Sequence, residues 1–466
     1  MSLLLSRVLR SVPPLPGRIL ILSWCIALIL PSIAMAEWRA GLAREKITPE
    51  RPMWMSGYAS RTAPAEGTEL DLWAKALVLE DEQGARAVLV TLDIVGLDRD
   101  LSLAICNELK ERFQLERPQI AICTSHTHSG PVVGRTLMSM YFLDDVQRQL
   151  VSDYTADLER RIVALVDTAV KDLAPARIAW GTGHSSIAVN RRTNVEANVP
   201  DLRSKGLLKG PIDHEVPVLS IRDPEGKLRG IVFGYACHAT VLPFNKWSGD
   251  YPGYAQRELE QRYPEAAALF FAGCGGDQNP LPRREVRLAE EYGRSLATSV
   301  DAVLAGPMQS IDGSLSTKYS EIELALDRLP TREDLVQQSS SNDKYVAQRA
   351  KILLAQVDAG KPLAATYPYP LQVWSLGKEQ QWVFLGGEVV VDYSLRIKRE
   401  LGPGHTWVAA YANDVMAYIP SLRVLKEGGY EGGGAMVYYG LPTIWGEAVE
   451  EAILDGTHKL FSKDGR

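Results

Sequence analysis

Three observations predict an α/β fold built on a mixed β-sheet with flanking helices. Between residues 87 and 123, an apolar run, a stretch of helical periodicity and a second apolar run follow one another, the strand–helix–strand rhythm that makes parallel neighbours. Turn sequences at 80–84, 223–226 and 377–380 each separate two strand-like runs, which demands antiparallel hairpins in the same chain. The run Gly230-Ile231-Val232-Phe233-Gly234-Tyr235-Ala236-Cys237 is apolar without alternation, as expected of a strand covered on both faces.

Taken in order, 38–47 reads as a first strand closed by Thr48-Pro49, and 53–68 as a Gly-, Ser- and Ala-rich loop with an apolar tip at Met53-Trp54-Met55. That tip suits either core packing or the rim of a pocket. Strands follow at 72–79 and 87–92, the second ending at Asp93, which reads equally as a strand-end turn residue and as a partner of a functional site. Residues 101–113 carry helical spacing, and 120–123 is a short buried strand. A long helix is expected over 146–173, a strand over 177–182 broken at Gly183-His184-Ser185, and a polar loop opening with Asn190-Arg191-Arg192. The hairpin 216–236 precedes a helix at 254–263, a buried strand at 268–271 and the Gly-rich turn Gly273-Cys274-Gly275-Gly276. Helices are expected over 285–304, 331–357, 389–400 and 443–454. Strands are expected over 314–326, 370–376, 381–385 and 406–411, with 359–370 as a Gly/Pro/Tyr-rich connector and 428–434 as a flexible loop.

Composition places the chain among ordinary globular proteins: 46% hydrophobic and 23% charged residues over 466 positions. A formal charge of −6 argues against a nucleic-acid partner, which calls for a basic face. Residues 1–36 read as a signal peptide, with Arg7, Arg10 and Arg18 ahead of an apolar run and Ala34-Met35-Ala36 as the small-x-small cleavage pattern. The remainder, 37–466, is read as one domain, exported after cleavage near Ala36, with an uncleaved N-terminal anchor as the alternative and peripheral membrane contact admitted. Cys106, Cys123, Cys237 and Cys274 show no CxxC spacing and are expected as free buried thiols, with one bridge left open.

The chemistry-bearing stretch is Cys123-Thr124-Ser125-His126-Thr127-His128-Ser129-Gly130-Pro131. Histidines two apart face one side of an extended chain, and neutral imidazole is a common metal ligand. By itself the pair reads as a metal site or as a polar loop. His126, His238, Glu388 and Tyr418, however, share one context: each ends or follows an apolar strand and precedes turn chemistry. Strand ends of an α/β sheet gather at one edge, and two His, a carboxylate and a further oxygen suit Zn²⁺ with one position open. His128 is then placed to move a proton.

At these residues the chain resembles the neutral (alkaline, non-lysosomal) ceramidase family. The likeness runs in order through Thr124–Pro131 in the first histidine block, Asn190-Arg191-Arg192, Ala236-Cys237-His238-Ala239-Thr240, Ser248-Gly249-Asp250-Tyr251-Pro252-Gly253, Gly387-Glu388, Tyr411-Ala412-Asn413 with Tyr418, and Gly429-Tyr430-Glu431-Gly432. The resemblance implies a zinc amidase that splits a ceramide or related lipid amide. In that role His126, His238, Glu388 and Tyr418 hold the metal, His128 protonates the amine, Arg191 positions it and Tyr430 holds the oxyanion. Two departures stand out. The family's Gly-Asp-x-Ser-Pro motif is here Gly276-Asp277-Gln278-Asn279-Pro280, so Asn279 fills the serine position, and no C-terminal immunoglobulin-like domain is expected. Both bear on ceramide as substrate more than on zinc hydrolysis. A metal-dependent hydrolase of a non-lipid amide or ester, and a non-catalytic binding protein, remain as alternatives.

Overall fold

A computed structural model describes residues 38–462. The predicted signal peptide lies outside the described residues. The largest sheet has nine strands. Eight run in the order Ile120–Thr124, Arg86–Leu92, Trp73–Asp81, Trp38–Lys46, Ala174–His184, Glu215–Arg222, Leu228–Tyr235 and Ala267–Ala272, and Gln309–Ser310 pairs with Ala174–His184. It is mixed, as expected: the first pair and the last pair of that order are parallel and the others antiparallel. The parallel pairs fall where helices intervene in sequence, Arg99–Phe113 in one case and Asp250–Arg262 in the other. Helix Arg99–Phe113 starts on Asp98, whose carboxylate accepts from the Leu101 amide, and buries Leu101, Ile105 and Leu109.

The sheet curls until its two ends meet. Just beyond the strand Ile120–Thr124, Thr127 forms a parallel bridge with Ala239, which follows the strand Leu228–Tyr235 near the opposite end of the order. A second sheet runs Leu315–Ala325, Thr366–Leu376, Gln380–Leu385 and Thr406–Ala409, and Ala412 beyond its last strand bridges Cys123 in the first. Trp374, Trp382, Phe384 and Trp407 from this sheet pack with Leu219, Val232, Leu269 and Phe271 from the large one, making the layer that fixes the two together.

Some expectations are corrected, some open alternatives are decided and some hold. Met53 and Met55 are core residues, 2% and 0% exposed, so the apolar tip anchors its loop by core packing. The segment 359–370 is not wholly a connector, because the strand Thr366–Leu376 begins inside it with Pro368 and Pro370 in register against Glu323 and Glu321. Those prolines are tolerated because the other neighbour, Gln380–Leu385, pairs only from Leu371 onward, leaving the proline half at an edge. The strand Ala174–His184 runs through Gly183 instead of stopping there. The stretch 331–357 divides into two helices, Arg332–Gln338 and Lys344–Asp358. Asp93 is tied into the strand ends, accepting from the Trp73 amide and from Gln256, and takes the turn role. All four cysteines are free and buried. No helix among the described residues is long and apolar enough to cross a membrane.

Candidate metal centre

The strand Ile120–Thr124 delivers His126, but not by staying extended. His126 takes a left-handed backbone conformation, φ 56°, and the chain turns there. Tyr411, Asn413 and Asp250 are likewise left-handed, at φ 53°, 64° and 53°. Such conformations are costly for non-glycine residues and gather where function demands them. Despite the turn, His126 and His128 meet, Nε2 to Nε2 at 3.1 Å.

His238 follows the strand Leu228–Tyr235 at the other end of the curled sheet. Glu388 and Tyr418 come from two-residue strands, Glu388–Val389 and Tyr418–Ile419, that pair in parallel with these two residues directly in register. Gly276 makes this approach feasible: its amide donates to the Val389 carbonyl at 2.8 Å, and a Cβ there would lie 2.6 Å from the Glu388 carbonyl oxygen.

The ligand atoms converge. Glu388 Oε2 lies 3.1 Å from His126 Nε2 and 2.9 Å from His238 Nε2, and the Tyr418 hydroxyl lies 3.1 Å from His238 Nε2. His126 Nδ1 donates to the Val95 carbonyl and His238 Nδ1 to the Gly275 carbonyl, both at 2.6 Å. These bonds place the proton on Nδ1, so each Nε2 presents a lone pair towards the carboxylate. Acceptors this close need a positive charge between them. At His238 a proton suits the place poorly. Burial drives the His238 imidazolium down to about 4, with the Arg191 charge acting in the same direction, and burial likewise holds His128 well below its ordinary range. A divalent cation bound by two locked imidazoles and a carboxylate fits the donor set. The three histidines by themselves form a metal-capable group, their ligand atoms all within 4.8 Å of one another.

His128 differs from the other two. Its Nδ1 is buried without a partner, whereas theirs are fixed by carbonyls. It also lines a cavity of about 660 Å³, together with Tyr58, Arg191, Asn279, Tyr418 and Tyr430, while His126, His238 and Glu388 lie behind that wall. The Tyr58 ring meets the His128 ring edge-on at 4.8 Å, and Arg61 donates to the His128 carbonyl at 2.7 Å.

Arg191 joins the remaining residues. Its guanidinium donates to the Tyr418 hydroxyl at 3.0 Å, to Asn279 Oδ1 at 3.2 Å and to Glu431 Oε1 at 2.7 Å. Burial opposes its charge, but Tyr418 and Glu431 more than offset that and hold it well above the ordinary arginine range. Asn279 is thus an acceptor for Arg191, held there because Gln278–Pro280 pairs with Ala188–Asn190. Tyr430 stands over the cavity with its ring 5.3 Å from that of Tyr418.

The structure therefore brings together the candidate ligands and catalytic residues read from the sequence, His126, His128, Arg191, His238, Glu388, Tyr418 and Tyr430, but not Asp93. It adds two that the sequence reading missed. Tyr439 donates to Glu388 Oε1, leaving Oε2 to face the histidines. Glu431, in a stretch expected as a flexible loop, is 4% exposed and pairs with both Arg191 and Arg192, so 428–434 is an anchored turn. Glu431 stands in a motif already quoted, beside Tyr430. Nothing in Val437-Tyr438-Tyr439-Gly440 signals a carboxylate partner.

Comparison with known proteins gives a consistent result. Residues 38–273 match the family model described as neutral/alkaline non-lysosomal ceramidase, N-terminal. The neutral ceramidase of Pseudomonas aeruginosa is 30% identical, over 88% of this chain and 71% of that protein. Neutral ceramidase 1 of Arabidopsis thaliana is 27% identical and the neutral ceramidase of Drosophila melanogaster 24%, but these matches span only 33% and 41% of those proteins. In structure, the crystallised Pseudomonas aeruginosa neutral ceramidase superposes with a TM-score of 0.69 at 21% identity, over 91% of this chain and 74% of that one.

Proposed function

The chain belongs to the neutral/alkaline non-lysosomal ceramidase family, and from that premise we propose that it is an exported, zinc-dependent amide hydrolase acting on ceramide or a related N-acyl lipid amide. The observation that carries the reading is the meeting of His126 Nε2, His238 Nε2 and Glu388 Oε2 behind a cavity that His128 and Arg191 line.

His126, His238, Glu388 and Tyr418 would hold the ion. When bound, a divalent metal polarises the amide carbonyl and makes a water molecule acidic enough to serve as nucleophile near neutral pH. The chain's own groups do the rest. His128 stands on the cavity wall with its Nε2 turned towards the centre, 3.1 Å from His126 Nε2, so this nitrogen is placed to accept the proton of the attacking water and return it to the departing amine nitrogen. Both transfers are needed, because an amide nitrogen leaves poorly unless protonated. Arg191, kept charged by Glu431 and Tyr418, orients the amine side of the substrate. The Tyr430 hydroxyl donates to the oxygen that becomes negative as the carbonyl is attacked. No step calls on a hydroxyl at position 279, where Asn279 instead orients Arg191. Export rests on the basic, apolar and small-residue pattern of 1–36.

The test is hydrolysis of a labelled ceramide and of short N-acyl amides, with and without a chelator, alongside metal analysis of the purified protein. Turnover that a chelator abolishes and zinc restores is the expected result. Turnover indifferent to the chelator contradicts the metal assignment, and bound zinc without turnover on any amide or ester favours a binding protein.

A further inference from the structure

We propose that a file of aromatic rings leading outward from the metal centre is the track for the acyl chain of a lipid-like amide, and that it sets chain-length preference. The proposal rests on the amide-hydrolase reading above. From Tyr418 the ring centroids step to Tyr430 at 5.3 Å, to Tyr438 at 6.3 Å, to Tyr345 at 5.0 Å and to Phe142 at 5.9 Å. The file begins at a residue of the centre and ends at the surface. Tyr430 is 45% exposed and Phe142 47%, with Tyr438 and Tyr345 partly exposed between them.

Single exposed aromatics are common and need no explanation. Here the outer rings come from three separate parts of the chain: the residues before helix Asp145–Lys171, the helix Lys344–Asp358 and the short helix Met436–Tyr439. The Tyr345 hydroxyl donates to the Ala59 carbonyl at 2.6 Å, tying its helix to the loop whose Gly57 and Tyr58 line the cavity. The track is therefore anchored at the cavity mouth. The cavity itself offers a hydrocarbon little, since arginine, glutamate and asparagine side chains make up much of its wall. A polar amine portion suits that cavity beside Arg191, while a chain leaving the carbonyl past Tyr430 meets Tyr438 and then Tyr345 and Phe142, over whose rings Lys344 Nζ lies at 4.9 and 5.1 Å. Each methylene moved from water onto such a surface adds to affinity, so the benefit grows with chain length.

The experiment uses the full chain and one amine acylated with acetyl, hexanoyl, dodecanoyl or palmitoyl groups in a common detergent. Phe142→Ser and Tyr345→Ser are compared with the parent. The expected result is that kcat/KM rises with acyl length in the parent, and that the palmitoyl-to-acetyl ratio falls by about tenfold in each variant, through KM. An unchanged ratio in both variants, a fall shared equally by short and long substrates, or a preference that follows the length of the amine's chain overturns the track while leaving the hydrolase reading intact. No turnover on any member of the series overturns the hydrolase reading, and the track with it.

Discussion

Each oxygen of the Glu388 carboxylate has its own task. Tyr439 takes Oε1, and Oε2 faces His126 and His238. Removing the hydroxyl frees the carboxylate to rotate without removing a ligand, so Tyr439→Phe is expected to weaken metal affinity by about 10–100-fold, as loss of a supporting hydrogen bond commonly does. A competitive chelator titration checks this, and an affinity equal to that of the parent contradicts the assigned support. How legible these residues were depends on how each is held. His126, His238, Glu388 and Tyr418 follow apolar runs and carry a mark in the sequence. Tyr439 reaches Glu388 across 51 residues from a short helix with no pattern of its own, and only three-dimensional packing reveals it. Asn279 was visible as a departure from a motif, but its bond to Arg191 depends on strand pairing that no local spacing encodes.

At the scale of elements, the loop between the first two strands shapes the cavity wall behind His128. Gly57 has φ +95°, and a Cβ there would come within 2.5 Å of the His128 ring. Gly57→Ala is therefore expected to displace the imidazole and lower kcat by about 10–100-fold with metal content unchanged. Metal analysis and kinetics on the same preparation decide it, and an unaltered kcat contradicts the wall's role. Most elements were readable from periodicity because their burial is one-sided or complete in the ordinary way. The exceptions have physical causes. The strand Thr366–Leu376 hides behind prolines that its edge position tolerates, and the turn 428–434 looked mobile because five of its seven residues are glycine and give no hint of the Arg191 and Arg192 pairs that pin Glu431.

For the whole molecule, the decisive event is the curling of the large sheet, which brings His126 and His238 from near opposite ends of the strand order to one place. The strand-end rule pointed to a common edge but could not supply the closure. The same packing buries Asp414, 3% exposed, and burial pushes its carboxyl up to about 7, against the lowering effect of the bond from the Tyr367 hydroxyl. An unfolded aspartate titrates near 4, so between about pH 4 and 7 the folded chain holds a proton that the unfolded chain has lost. Stability from this group is present at low pH and declines as pH rises through 7. Asp414→Asn is therefore expected to gain stability relative to the parent over that range, by at most about 1.4 kcal/mol per pH unit. Denaturant unfolding at several pH values measures it, and a pH-independent difference contradicts it. The division of labour within the centre is the account's central claim, and one paired measurement tests it most directly: zinc stoichiometry and amide turnover of His126→Ala and His128→Ala. The expected result is that His126→Ala loses both metal and activity, whereas His128→Ala keeps its metal and loses turnover by about 10²–10⁴-fold. If His128→Ala is also stripped of metal, all three histidines are ligands and the proton carrier lies elsewhere.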